Sequence, residues 1–236
     1  MAVRIEGQHA WILHARAWRE SSLLLDCLTL EHGRIGLVAR GVRRERTRLP
    51  RGLLQPLQPL LLAWTGRGEL GTLTAAESAG PPVMLAAERL YAAIYLNELV
   101  LRLTDRGDAQ PALHAHYALC LHRLGAGEPA AWTLRRFERD LFAELGYALV
   151  LATEHDHVTP IAAAGDYAYF PDSGAVRWQG QRDAVRIGGA ALQALAADRL
   201  PDAAALGELR RLSRAMILHL LGGRALNAWA LVEPAR

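Results

Sequence analysis

The densest run of chemically capable side chains lies between residues 39 and 51, ARGVRRERTRLPR. There Arg40, Arg43, Arg44, Arg46, Arg48 and Arg51 face a single carboxylate, Glu45. A guanidinium stays charged at any physiological pH and presents a planar fork of donors that suits phosphates and carboxylates. Six of them on one short stretch can neutralise several phosphates along a nucleic-acid backbone. A basic loop can also do no more than keep a protein dispersed, so its surroundings matter. Trp11, Trp18 and Trp64 stand on the adjoining segments as possible stacking surfaces for bases. Each alone reads more readily as core or cover of a half-buried sheet.

Other chemistries find little to build on. All 27 basic side chains are arginine and none is lysine, which removes a Walker A lysine and a Schiff-base lysine. The 66–71 segment Gly-Arg-Gly-Glu-Leu-Gly matches a dinucleotide fingerprint, but the residues after it read as a strand where the fingerprint needs a helix. Cys27 and Cys120 sit among apolar neighbours and read as small buried hydrophobes. His114 with His116, and His155-Asp156-His157, are the tightest histidine groups, and neither has the spacing of a metal site. No serine stands in a G-x-S-x-G elbow. The expectation is a binding protein without catalysis, metal or cofactor.

The elements that must position the arginines change character along the chain. Short β-type segments at His9–Arg16, Ser22–Leu30, Arg34–Arg40, Leu57–Trp64 and Leu70–Ala76 predict a five-stranded barrel of the OB or SH3-like type, with residues 41–56 as its long loop. Gly80-Pro81-Pro82 breaks that pattern, and helical stripes follow: Ala92, Leu96, Leu99 and Leu103; Leu134, Phe137, Leu141 and Leu145; Leu209, Leu212, Met216 and Leu220. An irregular stretch, 147–188, carries a small hairpin around Pro171-Asp-Ser-Gly174. Asp202 reads as an N-cap, Gly222-Gly223 as a helix stop, and Asn97 and Glu98 as buried hydrogen-bonding groups that meet a neighbouring helix end. The fold class is therefore α+β, with a nucleic-acid-binding barrel over 1–80 and a helical domain over 81–236. The first 80 residues carry net charge +4 and the remainder −1, so the basic surplus belongs to the barrel. With 51% apolar and 22% charged residues the chain can bury a core, and neither a membrane-length apolar run nor a signal-peptide pattern is present. A cytoplasmic protein is the expectation.

The segments WILHARAWRESSLLLD (11–26), EHGRIGLVARGVRR (31–44), LLQPLQPLLLAWTGRGELGTLTAAE (53–77), LYAAIYLNEL (90–99), LRRFERDLFAELGY (134–147) and LGGRAL (221–226), in this order and spacing, resemble the bacterial RecO family of recombination mediators. The resemblance runs nearly end to end. It implies an N-terminal OB-fold, a C-terminal helical domain, and binding of single- and double-stranded DNA with annealing of complementary strands. The partners it implies are the acidic C-terminal tail of the single-stranded-DNA-binding protein SSB, and RecR, with which RecA is loaded. On this chain the family's basic barrel surface corresponds to Arg34, Arg40, Arg43 and Arg44, with Arg46 and Arg48 in the same loop. Arg135 in LRRFE would grip the SSB tail's carboxylates. Arg224 keeps one C-terminal basic position, whereas Asn227 and Trp229 replace the next. Some members hold a four-cysteine zinc site in the segment corresponding to 150–178; this chain has no cysteine there, so the zinc-free form is expected. Two alternatives stay open from the residues alone: an RNA-binding OB protein, and a protein scaffold whose basic loop docks an acidic partner.

Overall fold

A strand with one face on a core buries every second residue, and β4 (Pro59–Gly66) shows it plainly: Leu60, Leu62 and Trp64 point inward between half-exposed neighbours. The computed structural model describes residues 3–44, 49, 51–66 and 70–231. In it β1 (Val3–Trp18), β2 (Ser22–Thr29), β3 (Gly33–Ala39), β4 and β5 (Leu70–Ser78) close into a barrel of order β1-β2-β3-β5-β4. All pairs are antiparallel except β3 with β5, and β1 is long enough to pair with both β2 and β4. This is the OB-fold order, and closure leaves no open sheet edge. Ile12, Leu25, Cys27, Leu37, Leu54, Leu60 and Leu62 fill the interior.

β1 bends around the barrel through two irregularities. One lies between Ile5 and Gln8, where Gly7 takes φ +64°, a value a glycine reaches without steric cost. The other lies between Ile12 and His14 and leaves the Leu13 carbonyl to a partner outside the ladder. That partner is Asn97, whose Nδ2 donates to it at 2.9 Å, while the Tyr117 hydroxyl donates to Asn97 Oδ1 at 2.7 Å. One buried amide thereby joins the barrel to α1 (Ala87–Leu103) and α2 (Pro111–Gly125). Trp11 packs against the Tyr117 ring at 5.7 Å, and Glu98 accepts from the Asn227 and Ala228 amides, capping α6 (Asn227–Ala230). Glu98 meets a helix end, as the sequence suggests; Asn97 meets a strand.

Packing therefore divides the chain at a different place from sequence character. The described residues up to Gly125, with Leu226 to Leu231, make one compact unit, and Ala126–Ala225 make the other. The period changes near residue 80, but α1 and α2 are bound to the barrel by Asn97, Tyr117 and Trp11, so they belong with it.

The second unit contains α3 (Ala130–Glu144), α4 (Gly189–Ala196), α5 (Ala203–Leu220) and a three-stranded sheet of order β7-β6-β8, formed by β6 (Asp166–Phe170), β7 (Gly174–Arg177) and β8 (Val185–Gly188). The expected hairpin is β6–β7; β8 and α4 are too short to show a period. Phe137, Leu141, Leu209, Leu212 and Met216 of the two helical stripes are buried. Asp202 caps α5 by accepting from the Ala205 amide at 2.8 Å, and Gly222 and Gly223 end it with φ of +60° and +82°. No helix among the described residues is long and apolar enough to cross a membrane.

Candidate nucleic-acid interface

The arginine loop leaves the barrel at the end of β3 and is pinned from beneath. Val42, Leu49 and Leu54 drop into the barrel core, and Arg43 and Arg44, next to Val42, are exposed. The Arg43 amide donates to the Ser21 carbonyl at 3.0 Å, tying the loop to the β1–β2 turn. Arg40, Arg43 and Arg44 are exposed, and among the described residues none of them pairs with a carboxylate. Arg46 and Arg48 lie outside the described residues. Three guanidinium groups on a braced loop, with no carboxylate partner among the described residues, give a concentrated positive field.

Beside them opens a cavity of about 620 Å³ between the β1–β2 turn and the arginine loop, with Trp18, Arg19, Ser21, Arg40, Arg44 and Leu70 in its wall. The tryptophans expected from the sequence part company here. Trp11 and Trp64 are both 7% exposed, Trp11 against Tyr117 and Trp64 edge-on to His32, so both are structural. Trp18 is half-buried, faces the cavity, and holds the Arg16 guanidinium 5.8 Å from its ring centre.

Arg34 occupies a different position. Its Nη2 donates to the Thr104 carbonyl at 2.8 Å and its Nε to the same residue at 3.3 Å, with Asp26 at 3.9 Å. Arg106 pairs with Asp26 at 2.5 Å, and the Gly107 amide donates to the Arg34 carbonyl. Arg34 is thus a strut between β3 and the chain leaving α1, and a phosphate would have to compete with those bonds. Gly33 beside it takes φ +60° and lies so close to the Asp108 backbone that a Cβ would collide with it. Sequence patterning offers no signal for this role, because the partners are 70 residues away.

Arg135 is also spent internally. It lies on α3, 6% exposed, in an ion pair with the fully buried Glu138. A peptide carboxylate would have to displace Glu138, so the geometry does not suit the tail-gripping role expected from the resemblance. Its neighbours are engaged as well. Arg136 holds Asp198 through Nε at 2.7 Å and Nη2 at 2.5 Å, and Glu128 at 3.1 Å. Arg139 meets Asp140 and Asp198; burial works against its charge, but these carboxylates outweigh burial and raise its pKa. Arg224 turns back to the Leu221 carbonyl at 3.1 Å.

Burial, with Asp26 adjacent, pushes the Cys27 thiol up, which leaves it protonated and unreactive. Burial, with His9 nearby, lowers His114 to about 4. Asp156 accepts from the Val158 and Thr159 amides and the Thr159 hydroxyl, closing a turn beside His155 and His157. Among the described residues no group of three or more His, Cys, Asp or Glu could hold a metal ion.

Comparison with known proteins agrees along the whole chain. Residues 1–82 match the family model "Recombination protein O N terminal" and residues 84–230 match "Recombination protein O C terminal". A protein of Nitrosococcus oceani named DNA repair protein RecO is 46% identical over 235 residues, covering 99% of this chain and 95% of its own. Proteins of the same name from Xanthomonas euvesicatoria and Stenotrophomonas maltophilia are each 43% identical, covering 97% of both chains.

Proposed function

The chain belongs to the RecO family, with a role in DNA repair and recombination, and from that premise we propose that the end of its barrel binds DNA and anneals complementary strands without turnover. One observation carries the reading: Arg40, Arg43 and Arg44 stand exposed and without a carboxylate partner among the described residues, and Arg40 and Arg44 line a cavity whose wall also includes Trp18. Each phosphate neutralised by a guanidinium releases condensed counterions, which drives binding irrespective of sequence. Two strands brought to the same positive surface repel each other less, because the charge that opposes pairing is already screened. Annealing of this kind needs no nucleotide hydrolysis.

The SSB tail, RecR and, through them, RecA belong to the same proposal as partners. Arg135 is left out of the contact residues, because it is buried in an ion pair with Glu138 on its own helix.

The test is fluorescence anisotropy of the protein on a labelled single-stranded DNA oligomer across a salt series, followed by a strand-annealing assay. Affinity that falls steeply as salt rises is the expected result. Binding that is absent, or that ignores salt, would overturn the proposal and favour docking of an acidic protein. Equal competition by matched RNA would widen the ligand class to either sugar.

A further inference from the structure

We propose that the cavity at the end of the barrel is a single-nucleotide pocket, in which an unstacked base lies against Trp18 while its phosphate is held by Arg40 and Arg44. The inference rests on the DNA-binding reading above and goes beyond it by stating what enters the cavity and why single strands are favoured there.

Size and lining agree with one nucleotide. Small-molecule sites span roughly 300–1,000 Å³, and this cavity has about 620 Å³. Its wall combines the three kinds of group a nucleotide needs. Trp18 and Leu70 offer apolar surface for a base, Arg40 and Arg44 offer charge for a phosphate, and Ser21 adds a short polar residue to the wall. Trp18 is the aromatic of the three that can serve, since Trp11 and Trp64 are sealed in the core.

The pocket is also braced. Trp18 pairs with Ser22 at the last rung of the β1–β2 ladder, so the strand itself sets the position of its backbone. Arg19, next in the chain, takes φ +51°, a left-handed conformation unusual for a side chain with a Cβ. That turn keeps Arg19 in the cavity wall. The opposite rim is fixed by the bond from the Arg43 amide to the Ser21 carbonyl and by Val42 in the core. A pocket held on both sides needs little ordering when a ligand arrives, which is where affinity is gained.

The strand preference follows from the chemistry of the wall. A duplex can present phosphates to Arg40 and Arg44, but its bases are paired and stacked on each other. Only a single strand can turn a base face toward an indole without first breaking pairs.

The test is a cycle between protein and ligand using fluorescence anisotropy. Wild type, Trp18→Ala and Trp18→Phe are each titrated with a thymidine oligomer and with an abasic oligomer of the same length and phosphate count. Wild type is expected to bind the thymidine oligomer about five- to a hundredfold more tightly than the abasic one, as for one or more stacked bases. Trp18→Ala should lose a large part of that preference with its salt slope unchanged. Trp18→Phe should retain most of it, and duplex affinity should be the same in all three proteins. A Trp18→Ala protein that keeps the full preference would overturn the pocket while leaving phosphate binding intact. Wild-type protein that binds neither oligomer would overturn the DNA reading itself, and the pocket with it.

Discussion

Two arginine clusters, ARGVRR at residues 39–44 and RRFER at residues 135–139, are nearly alike in composition and opposite in state. In the first, Arg40, Arg43 and Arg44 reach solvent with no carboxylate partner among the described residues. In the second, Glu138, Asp198, Glu128 and Asp140 absorb Arg135, Arg136 and Arg139. The difference lies in what surrounds them. A loop pinned at Val42 and Leu49 can point its charges away from the protein, whereas a helix that buries its arginine has to match that charge with another. Positive charge on a sequence is therefore a poor guide to ligand binding until its partners are known.

The largest break in this comparison is expected from the buried pair. Arg135→Ala removes a guanidinium from the fully buried Glu138 and should cost about 3–5 kcal/mol of stability, read by urea denaturation. A loss under about 1 kcal/mol would mean the charge is solvated, and would make Arg135 a candidate for ligand binding again.

Acid should expose a weakness of the barrel unit that its arginines do not share. His114 in the folded protein titrates near 4, below its ordinary value of 6.5, because of burial and of His9 nearby. As pH falls from about 6.5 to about 4, the unfolded chain takes up the proton first, so stability is lost through that window and is fully present above it. His114→Gln should flatten the dependence of the unfolding midpoint on pH there. An unaltered profile would show that other groups drive acid unfolding.

The exposed cluster should respond in binding and not in folding. Arg43→Ala with Arg44→Ala should reduce the slope of log affinity against log salt by about 1.4, or about 0.7 for each single-strand phosphate that is no longer neutralised. Stability should move by no more than about 0.5 kcal/mol. An unchanged slope would remove the loop from the interface.

The smallest effect is expected at Arg136, whose partners Asp198 and Glu128 are both partly exposed. Arg136→Ala should cost up to about 1 kcal/mol and leave DNA affinity where it was. A fall in DNA affinity would show that the second cluster also reads phosphate, and the contrast between the two clusters would collapse.

Local pattern was enough to place most of the backbone. Period-two segments and the turn at Glu31-His32-Gly33 marked four barrel strands to within two residues, while β1, expected at His9–Arg16, starts six residues earlier at Val3, before the irregularity at Gly7 interrupts its period. Three stripes at helical period marked α1, α3 and α5, and the cap at Asp202 was readable because capping depends on neighbours three residues away. The arginine loop, too, was visible from composition alone. Short elements without a full period, β8 and α4, left no such trace, whereas α2 carries a stripe at helical spacing, Leu113, Tyr117, Cys120, Leu121 and Leu124, that was legible but not singled out.

What tertiary structure alone decided is the fate of individual side chains, because each depends on groups distant in the chain. Arg34 became a strut through Thr104, 70 residues on, and Asn97 joined a strand carbonyl 84 residues back to a helix hydroxyl. Arg135 was sealed by the packing of its helix, and one tryptophan of three was left at a cavity by the way the strand ends converge. A sequence carries hydrophobic period and charge at short range, and those set the elements. Which charges remain unpaired and which rings stay uncovered is settled only when the elements meet, since burial and pairing are properties of the surroundings and not of the residue.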